Sequence, residues 1–107
     1  MGTPFLEIAI SKNGVPIRLT EERWFHIIEN HDDLAGHYDD VLSTIEDPDF
    51  IIEGYAKAFI ALNKITKTKF LAVVYREVSK EDGFVITAYF TSKLNSEKEV
   101  ILWQKKL

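Results

Sequence analysis

The stretch FVITAYFT, residues 84–91, decides how this chain folds. Ile86, Ala88 and Phe90 alternate with Thr87, Tyr89 and Thr91, and Lys93 continues the second set. Side chains two residues apart leave a strand on the same side. One face is therefore expected on a core, and the other carries a row of hydroxyls ending in a cation. Hydroxyls and a lysine ammonium hydrogen-bond phosphate oxygens, and a tyrosine ring also stacks on a base. A half-solvated strand with β-forming residues on its wet side shows the same alternation.

Around this stretch, Tyr55–Leu62, Lys69–Arg76 and Glu99–Lys105 are also rich in β-branched and aromatic residues. Asn63–Thr68, Asp82-Gly83 and Asn95–Glu97 separate the runs. These connections are too short for crossover helices, which predicts a four-stranded antiparallel meander. Upstream, Thr20 is a natural N-cap, followed by Glu21 and Glu22 in the first turn of a helix. Trp24, Ile27, Ile28 and His31 then recur at helical spacing, and Tyr38, Val41, Leu42 and Ile45 repeat the pattern. Pro48 ends the second helix, because proline disfavours helical geometry in the residue before it. At the N-terminal end, the alternation over Phe5–Ile10 meets Asn13-Gly14, a pair suited to a type I′ turn, with Val15–Leu19 returning. The expected fold is α+β, one domain over residues 1–107: an N-terminal β-hairpin, two helices, then the meander.

The 107 residues include no cysteine, so disulfide and thiolate chemistry are excluded. The apolar run Leu71–Tyr75 is far too short to cross a bilayer, and MGTPFLEIAI lacks a signal-peptide pattern. A cytoplasmic protein with no membrane partner is expected. The net charge of −4 is unevenly spread. Residues 1–54 hold three basic and twelve acidic side chains, whereas residues 55–107 hold ten basic and five acidic, giving −9 and +5. An electropositive C-terminal half rests on an acidic support, an asymmetry that either meets a polyanion or keeps strand edges soluble.

The first predicted helix carries a polar constellation. At 100° per residue, Arg23, His26 and Asn30 fall in a sector roughly 60° wide, away from the apolar stripe. Histidine exchanges protons near neutral pH, and arginine grips anions bidentately. His31 lies on the stripe itself, as a core or helix-end histidine would. His26, His31 and His37 with Asp32 and Asp33 are metal-ligand types, but the i, i+5 spacing turns the first two histidines about 140° apart, a poor ligand pair. Neither a metal nor a cofactor is expected. No phosphate-binding glycine loop, serine elbow or dinucleotide fingerprint is present.

The runs RLTEERWFHIIENH (Arg18–His31), DPDFIIEG (Asp47–Gly54), KFLAVVYR (Lys69–Arg76) and FVITAYFTSKLN (Phe84–Asn95) resemble a family of small phage- and mobile-element-associated proteins. That family is placed with barnase, EndoU, the tRNase colicins and RelE in a superfamily of metal-independent RNases. The resemblance implies two helices followed by a four-stranded antiparallel meander. It marks Arg23, His26 and His31, with Thr87 and Tyr89 on the later strand. It implies a toxin-like endoribonuclease, with RNA (tRNA included) as substrate and an immunity or antitoxin protein as partner. Relatives often follow the second histidine with proline and an acid, where this chain has Asp32-Asp33.

Such enzymes use the substrate's own 2′-hydroxyl as nucleophile and leave a 2′,3′-cyclic phosphate. A proton must leave that hydroxyl, another must reach the 5′-oxygen, and a dianionic phosphorane must be stabilised. His26 suits the proton transfers and Arg23 the developing charge, with Thr87 and Tyr89 completing the catalytic set. Arg76, Thr91, Lys93 and His31 are candidate substrate-binding residues. The other reading is a catalytically silent module of the same fold that binds nucleic acid or protein. The acidic net charge favours that reading, since RNases present positive charge to the phosphate backbone.

Overall fold

The computed structural model describes residues 6–92 and 98–106. Its elements are β1 (Leu6–Ile10), β2 (Pro16–Thr20), α1 (Glu21–Asn30), α2 (Tyr38–Glu46), β3 (Phe50–Glu53), β4 (Phe59–Thr66), β5 (Lys69–Glu77), β6 (Gly83–Thr91) and β7 (Ile101–Gln104). Short 3-10 turns lie at Asp32–Leu34 and Tyr55–Lys57. All the strands join one sheet of seven, in the order β1-β2-β6-β5-β4-β3-β7.

The expected fold needs correction here. The α+β class and the two helices stand, but the sheet is mixed and seven-stranded rather than a four-stranded antiparallel meander. Three physical causes account for the difference. The four residues of β3 show no alternation because Ile51 is buried on one face and Ile52 on the other, yet they pair with both β4 and β7. The N-terminal hairpin does not stand apart: β2 lies parallel to β6, with Ile17 opposite Gly83 and Arg18 opposite Phe84. Finally, β7 pairs with β3 at the far edge, so β5, β4 and β3 lie between it and β6. The run from Tyr55 is also divided, because Tyr55–Lys57 forms a 3-10 turn and β4 begins at Phe59.

The start of α1 follows its local sequence signal, whereas the hairpin turn departs from the type I′ form. The Thr20 hydroxyl accepts from the Arg23 N–H at 3.1 Å and caps α1 as expected. Of Asn13 and Gly14, only Gly14 takes a positive φ (82°). With the Gly14 N–H on the Ser11 carbonyl and the Ser11 N–H on the Val15 carbonyl, the connection is a type I turn closed by a left-handed glycine. Glu77 holds this turn to the sheet, accepting from the Ser11 hydroxyl at 2.6 Å and from Asn13 Nδ2 at 3.0 Å.

Both helices cover one face of the sheet. Trp24 and Ile27 of α1, Leu34, and Val41 and Ile45 of α2 are buried with Ala9, Ile17, Leu19, Leu71, Val73, Tyr75, Val85 and Ala88. Trp24 meets Tyr38 edge-on at 5.2 Å, and the Tyr38 hydroxyl donates to the Leu19 carbonyl at 3.0 Å. Burial first, with Glu7 and Asp39 adding, pushes the Tyr38 phenol up to about 12, so it stays a donor. On the other face Ile52, Leu62 and Ala72 are buried beneath Phe50, Ile60, Phe70 and Tyr89, with no helical residue in the cluster among the described residues.

A bulge decides which β6 residues reach the core. Val74 pairs with Thr87 but Tyr75 with Val85, leaving Ile86 as the extra residue. Val85 therefore takes the core position, buried beside Ala88, while Ile86 is only half-buried. Phe90 stays on the helix side, half-buried between His37 and Lys69. Thr87, Tyr89 and Thr91 do share a face, opposite Val74, Ala72 and Phe70.

Candidate functional site

The hairpin's parallel pairing with β6 spans two residues, after which the strands part and α1 follows directly from β2. The edge of β6 beyond Phe84 is thereby left to the helix. Arg23 reaches into this fork, its Nη1 donating to the Ile86 carbonyl at 3.4 Å, a long bond to the oxygen at the bulge. At the other end of α1, the His31 ring lies 6.0 Å from that of Tyr89, centroid to centroid. From Arg23 to His31 the helix rises about 12 Å, and from Ile86 to Tyr89 a strand rises about 10 Å. The two elements thus run side by side, and His26 stands about level with Thr87.

Two hollows meet at Arg23. A wide, open cleft of about 530 Å³ is lined by Thr20, Glu22, Arg23, Phe25, His26 and Glu29. A smaller hollow of about 150 Å³ is lined by Arg18, Thr20, Arg23, Phe84 and Val85. Thr20 and Arg23 belong to both. His26 is exposed on the helix surface, and two carboxylates, Glu22 and Glu29, share its cleft. No β6 residue lines that cleft, and Arg23 meets β6 at the Ile86 carbonyl rather than at the hydroxyl row.

The remaining candidates are spread along the sheet. Tyr89 is half-buried, and its phenol is pushed up by burial first and by Glu99 second. At neutral pH it is a neutral hydrogen-bond donor rather than a base. Thr91 lies opposite Phe70, one register step beyond Tyr89. Arg76 lies opposite Phe84, and its Nη2 donates to the Ala56 carbonyl at 2.8 Å. Lys93 falls outside the described residues. His31 ends α1 as its C-cap, its N–H on the Ile27 carbonyl, so it belongs to the helix end and not to the core stripe. His37 bonds Asp40 at 2.8 Å and packs edge-on against Phe90. Among the described residues no three His, Asp or Glu side chains gather as metal ligands.

Residues not singled out by sequence reasoning complete the setting. Arg18 pairs with Asp82 through Nε at 2.8 Å and Nη2 at 3.1 Å. The pairing raises Arg18 and holds the Asp82 carboxyl below its ordinary range. Phe84 lies between Arg18 on one neighbouring strand and Arg76 on the other. Only the strand register reveals that row. Tyr55 is 94% exposed on a turn in which Ala56 and Lys57 both take positive φ (54° and 65°). Left-handed backbone at non-glycine residues costs on the order of 1–3 kcal/mol each and persists where neighbours hold it. Arg76 supplies such a hold. Among the described residues no helix is long and apolar enough to cross a membrane. Comparisons with protein-family models, with curated proteins and with solved structures find no match to this chain.

Proposed function

We propose that the chain cleaves RNA without a metal, at the seam between α1 and β6. His26 moves the protons of the 2′-hydroxyl and the leaving 5′-oxygen, and Arg23 meets the charge that develops on phosphorus. Thr87 and Tyr89 donate to the phosphate oxygens. The observation that carries this reading is the double attachment of α1 to β6, through Arg23 at Ile86 and His31 at Tyr89. It sets a helix bearing an imidazole and a guanidinium along the edge of a strand whose hydroxyls line the other face, and these are the group types this transesterification uses.

A specific observation favours a second reading, an RNA-binding module without cleavage. Glu22 and Glu29 line the same cleft as His26 and repel a phosphate there. One comparison separates the two. The parent protein and its His26→Ala and His31→Ala variants are incubated with tRNA and messenger RNA in EDTA, and products are tested for 2′,3′-cyclic phosphate ends. Cleavage that His26→Ala lowers by about 10²–10⁴-fold supports the first reading. His26→Ala should leave stability within about 0.5 kcal/mol, because the side chain is exposed. His31→Ala should destabilise the α1 end against Tyr89 and slow cleavage less. If the parent cuts nothing but binds RNA, the second reading holds. If His26→Ala cuts at the parental rate, the catalytic assignment is wrong.

A further inference from the structure

We propose that the sheet face turned away from the helices carries a single RNA strand along a row running from Arg18 through Phe84 and Arg76 to Tyr55. The inference rests on RNA as the ligand and adds the path by which the strand reaches Arg23.

The strands sort their charges by face. The carboxylates of β1, β3 and β5, namely Glu7, Glu53 and Glu77, stand opposite Leu19, Phe59 and Gly83, in register with core-facing positions. Arg18, Lys64 and Arg76 stand in register with Ile8, Phe70 and Phe84 on the other face. Lys69 is the exception, lying over Phe90 on the helix side. The helix-free face is thereby basic and aromatic, although Asp82 answers Arg18 and Glu99 acts on Tyr89.

Within that face one row is continuous. Arg18 neighbours Phe84, and Phe84 neighbours Arg76. Arg76 holds the Ala56 carbonyl, while its Nε is buried without a hydrogen-bond partner among the described residues. The turn so held presents Tyr55 to solvent, with Lys57 beside it. At its other end the row enters the hollow of Arg18, Thr20, Arg23 and Phe84, one wall of which is the proposed anion-binding arginine. Alternating rings and cations are the arrangement on which single-stranded nucleic acid binds, bases stacking on the rings and phosphates meeting the cations. A folded duplex would not give its bases to Phe84 and Tyr55, so the occupant is an unpaired stretch of RNA.

The test uses a fluorescent oligonucleotide of about 12 nucleotides, 2′-O-methylated throughout so that no 2′-hydroxyl remains to attack. Binding is read by anisotropy at about 50 mM salt and upward. Tyr55→Ala and Phe84→Ala should each weaken binding about 5- to 150-fold, the range of one lost base stack. Arg76→Gln should reduce the slope of log affinity against log salt by about 0.7, one phosphate contact on a single strand. Lys69→Gln, on the opposite face, should stay within about twofold. Tyr55 is nearly fully exposed, so its variant keeps the fold where Arg76→Gln loosens the turn. Parental binding by both Tyr55→Ala and Phe84→Ala overturns the track, as does an equal loss in Lys69→Gln or a parent that does not bind the oligonucleotide. If His26-dependent cleavage survives while both aromatic variants bind normally, the track is wrong and the cleavage reading stands. If binding depends on the row and the parent cuts nothing, the track stands and the cleavage reading falls.

Discussion

Placing one methyl group on Gly83 tests the junction that puts the hairpin, α1 and β6 together. A Cβ at this position meets the Arg76 carbonyl oxygen at 2.6 Å and Ile17 Cδ1 at 2.6 Å, with Glu77 Cα at 3.4 Å. Neither close neighbour yields easily. The carbonyl belongs to β5 beside the pairing of Glu77 with Gly83, and Ile17 is fully buried. Overpacking costs about 1–3 kcal/mol, and a backbone clash sets the upper end, near 3. Alanine restricts the unfolded chain and returns about 0.4–1 kcal/mol, leaving a net loss of about 2. At about 2.1 cal/mol/K per residue, 107 residues unfold with an entropy near 0.22 kcal/mol/K, so Tm should fall by about 9 °C. Urea denaturation followed by circular dichroism, with a parallel thermal melt, measures both quantities. Gly14→Ala is the control, because nothing lies within 4 Å of its Cβ and only the φ of +82° opposes it, at about 1–2 kcal/mol. A Gly83→Ala variant that loses less than about 0.5 kcal/mol would refute the close approach of the Arg76 carbonyl and Ile17 to Gly83.

Other outcomes follow from single contacts. Thr20→Ala should cost about 1 kcal/mol by removing the cap on α1, and Thr20→Ser should recover most of it, both read from urea midpoints. Phe90→Ala should cost about 2 kcal/mol, below the 3–5 of a fully buried phenylalanine, because its ring is only half-buried. Asp82 has its folded value depressed by Arg18, so its contribution is present above the unfolded carboxylate range and lost as pH falls through the folded value. Stability of the parent and of Asp82→Asn should therefore differ at neutral pH and converge as pH drops below the ordinary aspartate value of about 3.9. Molar salt should narrow the difference at neutral pH, since both side chains are substantially exposed.

What sequence reveals here follows the range of the interactions. The cap at Thr20 and the burial of Trp24 and Ile27 are set within a few turns of helix, and periodicity finds them. Ile86 breaks the β6 alternation because a bulge is a relation between two strands, invisible in one. The parallel contact of Ile17 with Gly83 joins segments 66 residues apart, and no local signal announces it. At the site, Arg23 and His26 stand out as residue types on a helix face. Their relation to Thr87 depends on where β2 leaves β6, and that is settled by packing. The row of Arg18, Phe84 and Arg76 draws one member from each of three strands, so it has no sequence pattern at all.

The short parallel contact also bears on how the molecule opens and closes. Docking the hairpin closes a loop of 66 residues, at roughly 3.7 kcal/mol of chain entropy, and gains two residue pairs of ladder. The return comes instead from Ala9, Ile17 and Leu19 entering the core, with Glu77 on the turn and the Tyr38 hydroxyl on the Leu19 carbonyl, so the hairpin is held mainly by burial and not by the parallel ladder. Such a unit docks late during folding and detaches as a piece, ahead of global unfolding. Its amides should exchange with solvent as one group, faster than those of β5 at the sheet's centre. Because β2 runs straight into α1 and supplies Thr20 and Arg18 to the Arg23 hollow, each such excursion also takes one wall of that hollow apart.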